Sequence, residues 1–290
     1  MKTILGIHSA PAQHWVGDGF PVRTLLSYNR HGAHVSPFLL ADLAGPYMFE
    51  PNHQAGKQRG VGTHPHRGFE TVTIVYEGEV AHKDSTGQGG VIGQGDVQWM
   101  TAGSGILHQE YHSSGFSRSG GKFEMVQLWV NLPAAKKMTA PGYQAIENAA
   151  IPVVQLAQDA GTARVIAGDF EGARGAARTH SPMSVVDVRL NADAEVTLPI
   201  PEGWNGLVIV LTGDAVVNGT EQLVDAQMAI LTNHGRDVRV RAERPTKLLL
   251  LAGEPITDPI VGYGPFVMNT EEEIQQAVND FNSGRFGVVN

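Results

Sequence analysis

Glycine and proline punctuate this chain from end to end: 35 glycines and 16 prolines are spread over 290 residues rather than gathered in one tract. Between them lie short stretches rich in β-branched and aromatic residues, such as 71–76 (TVTIVY), which Glu77 and Gly78 close. Such residues suit a pleated, half-buried surface, and glycine supplies the turns that join the strands. The chain is therefore expected to be all-β. Many short strands at this spacing suit jelly-roll barrels, whose closed sheets leave an interior in which a site can sit. A length of 290 residues exceeds one typical domain, so two are expected. Residues 208–214 (VIVLTGD) can be laid on 73–79 (TIVYEGE), which points to a duplicated barrel. Pro133 and Pro141 mark the boundary region, giving domains at 1–145 and 146–290.

The last stretch changes period. Thr270 and Glu273 have the spacing of a capping box, and the acidic first turn complements the helix dipole. Ile274, Ala277, Val278 and Phe281 then recur at helical spacing, with Gly284 as the stop. This predicts a short C-terminal α-helix, assigned to the second domain and docked by Ile274, Val278 and Phe281.

Two short motifs carry the chemistry. His64-Pro65-His66 is answered some forty residues later by His108-Gln109-Glu110. Side chains alternate along a strand, so His64 and His66 share one face, as do His108 and Glu110. Two such strands can aim three imidazoles and one carboxylate at a single point, a donor set for iron, manganese, nickel, copper or zinc in an open site. With twelve histidines in the chain one His-x-His is unremarkable; a second motif of the same parity, flanked by glycines, is not. His8, His14, His31, His34 and His53 have no partner spacing and are expected to be ordinary surface or loop histidines. On the hand alignment of the two halves, His64 and His66 fall opposite Pro199 and Pro201, and His108 and Glu110 opposite Arg239 and Arg241. None of those can ligate a metal, so the second barrel is expected to be metal-free, with His180 and His234 as ordinary polar residues.

Composition narrows the alternatives. There is no cysteine, so any metal is held by nitrogen and oxygen. Lys plus Arg number 21 against 29 Asp plus Glu, and a net charge of −8 argues against direct nucleic-acid binding. Residues 1–20 lack the pattern of a signal peptide, and no apolar run approaches the roughly 20 residues needed to span a bilayer. A cytoplasmic monomer with no membrane association is expected.

Residues 64–71 (HPHRGFET), 95–108 (GDVQWMTAGSGILH), 127–132 (QLWVNL) and 264–270 (GPFVMNT) together resemble the pirin family of the cupin superfamily. Thr101 stands where cupins usually carry proline, and the step from Gly103 to His108 is one residue longer than common; both departures are shared with the pirin pattern. The resemblance implies two tandem cupin (jelly-roll) barrels, the N-terminal one holding Fe(II) or another divalent metal such as Zn, Ni, Mn or Cu through His64, His66, His108 and Glu110. It implies quercetin 2,3-dioxygenase-type chemistry, with a flavonol-like small molecule and dioxygen as substrates and Glu110 as both ligand and catalytic base. The alternative it implies is a redox-responsive regulatory protein acting through a protein partner. In cupins generally a glutamate four residues after the second histidine is a ligand, which keeps Glu70 as a supporting or alternative carboxylate. Arg67, Phe69, Gln98, Trp99 and Met100 are further expected around the pocket, with core packing an equal reading for Phe69 and Trp99.

Overall fold

The structure, a computed structural model, describes residues 1–53 and 57–289. The chain forms two compact units. One contains Ala12–Thr24, Leu40–Asn148 and Ile256–Asn290; the other contains Met1–Pro11, Leu25–Leu39 and Ala149–Pro255. The first carries the histidine motifs and is called here the histidine-bearing barrel.

Each unit pairs a seven-stranded sheet with a four-stranded one, built on antiparallel pairings. In the histidine-bearing barrel the small sheet runs Gly60–His66, Ile106–His112, Val80–Asp84, Gly89–Ile92. The large sheet centres on Val97–Thr101, Phe69–Glu77 and Gly121–Asn131, continued by Phe38–Phe49 and Phe20–Ser27. Alternation along the strands sends Val75 and Met125 from one sheet and Val80 and Ile92 from the other into a shared core with Phe20, Phe49 and Phe123. The other barrel repeats the plan, with Glu195–Pro199, Asp237–Arg241, Asp214–Val217 and Glu221–Val224 as its small sheet. The all-β expectation of two barrels and a short C-terminal helix, Glu271–Asn282, describes the fold.

Three expectations need correction. The division at 1–145 and 146–290 does not describe the compact units. Ile4–Ser9 pairs with Gln227–Leu231, so the first strand belongs to the barrel built largely from the C-terminal half, while the terminal helix belongs to the histidine-bearing barrel. Pairings between strands so distant in sequence leave no local signal.

The second correction concerns the helix face. Its capping box is formed as predicted, Thr270 Oγ1 accepting from the Glu273 amide and Glu273 accepting from the Thr270 amide. The buried positions, however, are Ile274, Ala277 and Asp280, while Phe281 is 39% exposed at the edge of a cluster with Phe266 and Phe286. Phe281→Ala is therefore expected to cost far less than the roughly 3–5 kcal/mol of a fully buried phenylalanine, as a melting curve would register.

The third is a slip of register. Arg239 and Arg241 lie on the outer face, 41% and 44% exposed, where they meet Glu195 and Glu243. The inward side chains of that strand are Val238 and Val240, packed against Leu198, Val210 and Leu231. A hand alignment displaced by one residue in a period-two element exchanges the two faces completely. The aliphatic interior offers no ligand atom there, a different reason from the arginines invoked above.

Candidate metal centre

The strands Gly60–His66 and Ile106–His112 lie side by side, with His108 opposite His64 and Ile106 opposite His66. Because paired residues share a face, all three imidazoles turn into the barrel. Ring centroids are 4.2 Å apart for His64 and His108, 4.8 Å for His66 and His108, and 4.9 Å for His64 and His66. One ligand atom from each lies within 4.8 Å of the others. Past His108 the register slips, so that Glu110 stands beside Val61, and on the other side of its strand opposite His82. Glu110 is not part of the tight triad; it lines one cavity with His64 and His66, and Thr73 bonds to its carboxyl.

The hydrogen bonding around these groups fits a metal. His64 Nδ1 donates to the Gly62 carbonyl at 2.8 Å, which leaves the Nε2 lone pair available. Both nitrogens of His108, Nδ1 of His66 and Oε1 of Glu110 are shielded from solvent and lack a hydrogen-bond partner among the described residues. Buried polar atoms are normally satisfied, and each imidazole can turn one lone pair towards the space the triad encloses, so these unclaimed atoms fit donors awaiting a cation.

Electrostatics agree. Burial, then the neighbouring imidazoles, hold His66 and His108 well below the ordinary histidine range, the Pro265 carbonyl opposing this for His66. Burial pushes Glu110 up to about 7, against the hydrogen bond from Thr73. Near pH 6 the metal-free His66 and His108 are thus neutral and the Glu110 carboxyl mostly protonated, whereas ligation requires carboxylate. Metal binding at pH 6 is therefore expected to release about one proton per ion and at pH 8.5 close to none, with affinity climbing as pH rises towards 7 and then levelling. Calorimetric titration in buffers of different ionisation enthalpy measures this. Equal release at both values would contradict it.

Glu70 is not at this cluster. For Glu70 to share a face with His66 the strand would have to be continuous, but Gly68, at φ +87°, breaks it between His66 and Phe69. A side chain at 68 would also collide with the Val267 carbonyl. Lys137 fastens this turn, its ammonium donating to the carbonyls of Gly68 and Val267 and to Asn131 Oδ1, each at 2.8 Å. After the break Phe69, not Glu70, meets His66, with ring centroids 5.1 Å apart. Glu70 pairs across to Thr101 and accepts its hydroxyl at 2.7 Å, on the face of the sheet opposite Thr73.

The other expected pocket residues divide by the same rule. Gln98 pairs with Thr73 and Met100 with Thr71, on the cavity side; Trp99 pairs with Val72 and is fully buried on the other face. Arg67 turns towards the terminal helix and bonds Asp280 at 2.8 Å. Several neighbours of the site were not singled out from sequence: Asp42, Gln127 and Trp129 on the cavity wall, and His82, whose Nε2 is bonded to the Tyr143 hydroxyl at 2.5 Å. For Gln127 and Trp129 the signal was present, since alternation within 127–132 places both on one face. His112 has the parity of a ligand yet donates through Nε2 to the Gly19 carbonyl at 2.9 Å and stacks on Phe123.

Two antiparallel barrels, one with a buried imidazole triad opening on a cavity, define a bicupin with a single candidate metal centre among the described residues. Residues 19–130 match the model of the Pirin family, and residues 185–287 that of the Pirin C-terminal cupin domain. The chain is 56% identical to a Pseudomonas aeruginosa protein named "Putative quercetin 2,3-dioxygenase PA2418", over 99% of both chains. It is 37% identical to human Pirin over 83% of each. Among solved structures, a quercetin 2,3-dioxygenase from Acinetobacter baumannii superposes with a TM-score of 0.96 at 55% identity, covering 100% of both chains. This chain belongs to the pirin family.

Proposed function

We propose that this protein is a metal-dependent dioxygenase of the quercetin 2,3-dioxygenase type, acting on flavonol-like substrates with one divalent metal held by His64, His66, His108 and Glu110. The observation that carries the reading is the coincidence of an imidazole triad and Glu110 with a cavity of about 340 Å³. That volume falls within the roughly 300–1,000 Å³ of small-molecule pockets, and its apolar walls include Phe20, Val22 and Trp129. A regulatory site that only set surface charge would not need such a chamber. The relatives named for this activity, at 55% and 56% identity, support the same reading.

When bound, an ion such as Fe(II), or Zn, Ni, Mn or Cu in its place, supplies Lewis acidity towards a substrate hydroxyl and, if redox-active, an electron path to dioxygen. The chain's own residues do the rest. His64 is held in one tautomer by Gly62, and His66 and His108 are kept neutral by burial, so all three present lone pairs. The apolar walls receive a flat ring system and exclude water. Glu110, with one oxygen unclaimed by the protein, accepts the hydroxyl proton.

Anaerobic reconstitution with ferrous iron, followed by oxygen uptake with and without a flavonol, tests the proposal. Flavonol-dependent uptake is expected; its absence in fully loaded protein across several flavonols would leave the regulatory reading. Glu110→Gln separates the two roles of that residue. An amide keeps a weak oxygen ligand but takes no proton at neutral pH, so turnover should fall at least about tenfold beyond any loss of bound metal. Activity that merely tracks occupancy would remove the base role.

A further inference from the structure

Asp42 is a charged residue in the wall of an otherwise mostly apolar part of the cavity. It sits on the strand Phe38–Phe49 of the large sheet, whereas His64, His66 and Glu110 reach the same cavity from the small sheet. Its neighbours on that wall, Val22, Met125 and Trp129, are apolar, and the Gln127 amide is hydrogen-bonded to the Thr73 hydroxyl at 2.8 Å. Burial raises the Asp42 carboxyl from its ordinary value, against a hydrogen bond from Thr24 and the nearby His14, and its Oδ1 is shielded from solvent with no hydrogen-bond partner among the described residues. Rotation about Cβ–Cγ exchanges the two oxygens, so the carboxylate as a whole is short of a donor. Leaving such an acceptor unsatisfied costs on the order of 1–3 kcal/mol, and a leucine of similar shape would avoid that cost entirely.

We propose that Asp42 determines the substrate class of this cavity by accepting a hydrogen bond from a phenolic hydroxyl on a flat aromatic ligand whose metal-binding oxygen faces the histidines. This deepens the dioxygenase reading and rests on it for the placement of the ligand. The preferred substrate is then a polyhydroxylated aromatic, and a ring system that carries only the metal-binding oxygens fits the walls but leaves Asp42 unsatisfied. A hydrogen bond to a charged acceptor discriminates strongly against the analogue that lacks the hydroxyl, because the buried carboxylate then stays unpaired.

The test is equilibrium binding to zinc-loaded protein without oxygen, followed by tryptophan fluorescence and calorimetry, so that it does not depend on turnover. The probes are quercetin and 3-hydroxyflavone, which share the ring system but differ in the remaining hydroxyls. Wild-type protein is expected to favour quercetin by roughly tenfold or more. Asp42→Leu should lose that preference through weaker quercetin binding, with 3-hydroxyflavone held at least as tightly. Asp42→Asn, which keeps the shape and a neutral acceptor, should fall between them. Equal affinities in wild type, or unchanged discrimination in Asp42→Leu, would overturn the assignment and mean that water satisfies the carboxylate; so would no binding of either probe. Discrimination without flavonol-dependent oxygen uptake by the iron form would sink the dioxygenase reading and leave Asp42 as a ligand-selecting residue, whereas turnover without discrimination would sink only this inference.

Discussion

Replacing His108 by alanine is expected to abolish metal binding, from one ion per chain to below about a tenth, while the barrel stays folded. His108 is the residue common to both closest ring pairs, 4.2 Å from His64 and 4.8 Å from His66, and neither of its nitrogens is bonded among the described residues. Its removal breaks no hydrogen bond and takes away the donor at the centre of the set, so the effect should fall on the metal rather than on the fold. His112→Ala is the matched control. It lies on the same strand with the same parity, but its bonds go to Gly19 and its ring packs among Phe49, Phe116 and Phe123. That variant should lose stability and keep its metal. Metal analysis of both proteins after dialysis decides the matter, and full stoichiometry in His108→Ala would sink the assignment.

The second large effect is expected at a residue with no part in the chemistry. Asp280→Ala should destabilise the histidine-bearing barrel by about 3–5 kcal/mol, because it strands the Arg67 guanidinium, whose side chain is only 5% exposed. Arg67 also donates to the Ser104 carbonyl at 2.7 Å and lies over the Phe286 ring, so it has no path back to water without dismantling the hairpin after His66. For a unit of this size such a loss corresponds to a fall of roughly 10 °C in melting temperature. Arg285→Ala removes the other cation on Asp280, which is 67% exposed, and should shift the melting curve by at most a degree or two. Equal shifts in both variants would show that the buried pair does not hold the helix in place.

These residues show where sequence reasoning reached and where it stopped. The ligand candidates could be read because each motif lies within one strand, where period two fixes the face: His64 with His66, His108 with Glu110. A carboxylate role for Glu70 beside the histidines failed because the spacing crosses Gly68, and a left-handed residue resets the count of faces. The Arg239 reading failed by one position for the same geometric reason. Asp280 could not be singled out, since its partner Arg67 is 213 residues away and leaves no local trace. The same distance hid the place of the first strand and the ownership of the terminal helix.

That first strand has a consequence for how the protein is made. Ser9 pairs with Gln227 and Ile4 with Leu231, so more than two hundred residues must be synthesised before Ile4–Ser9 can find its partner. At ribosomal rates of roughly 5–20 residues per second, the segment waits on the order of ten to forty seconds as an unpaired apolar strand. Completion of that barrel is thus a late event in synthesis, and the nascent chain is the stage at which a holding chaperone would have most to protect.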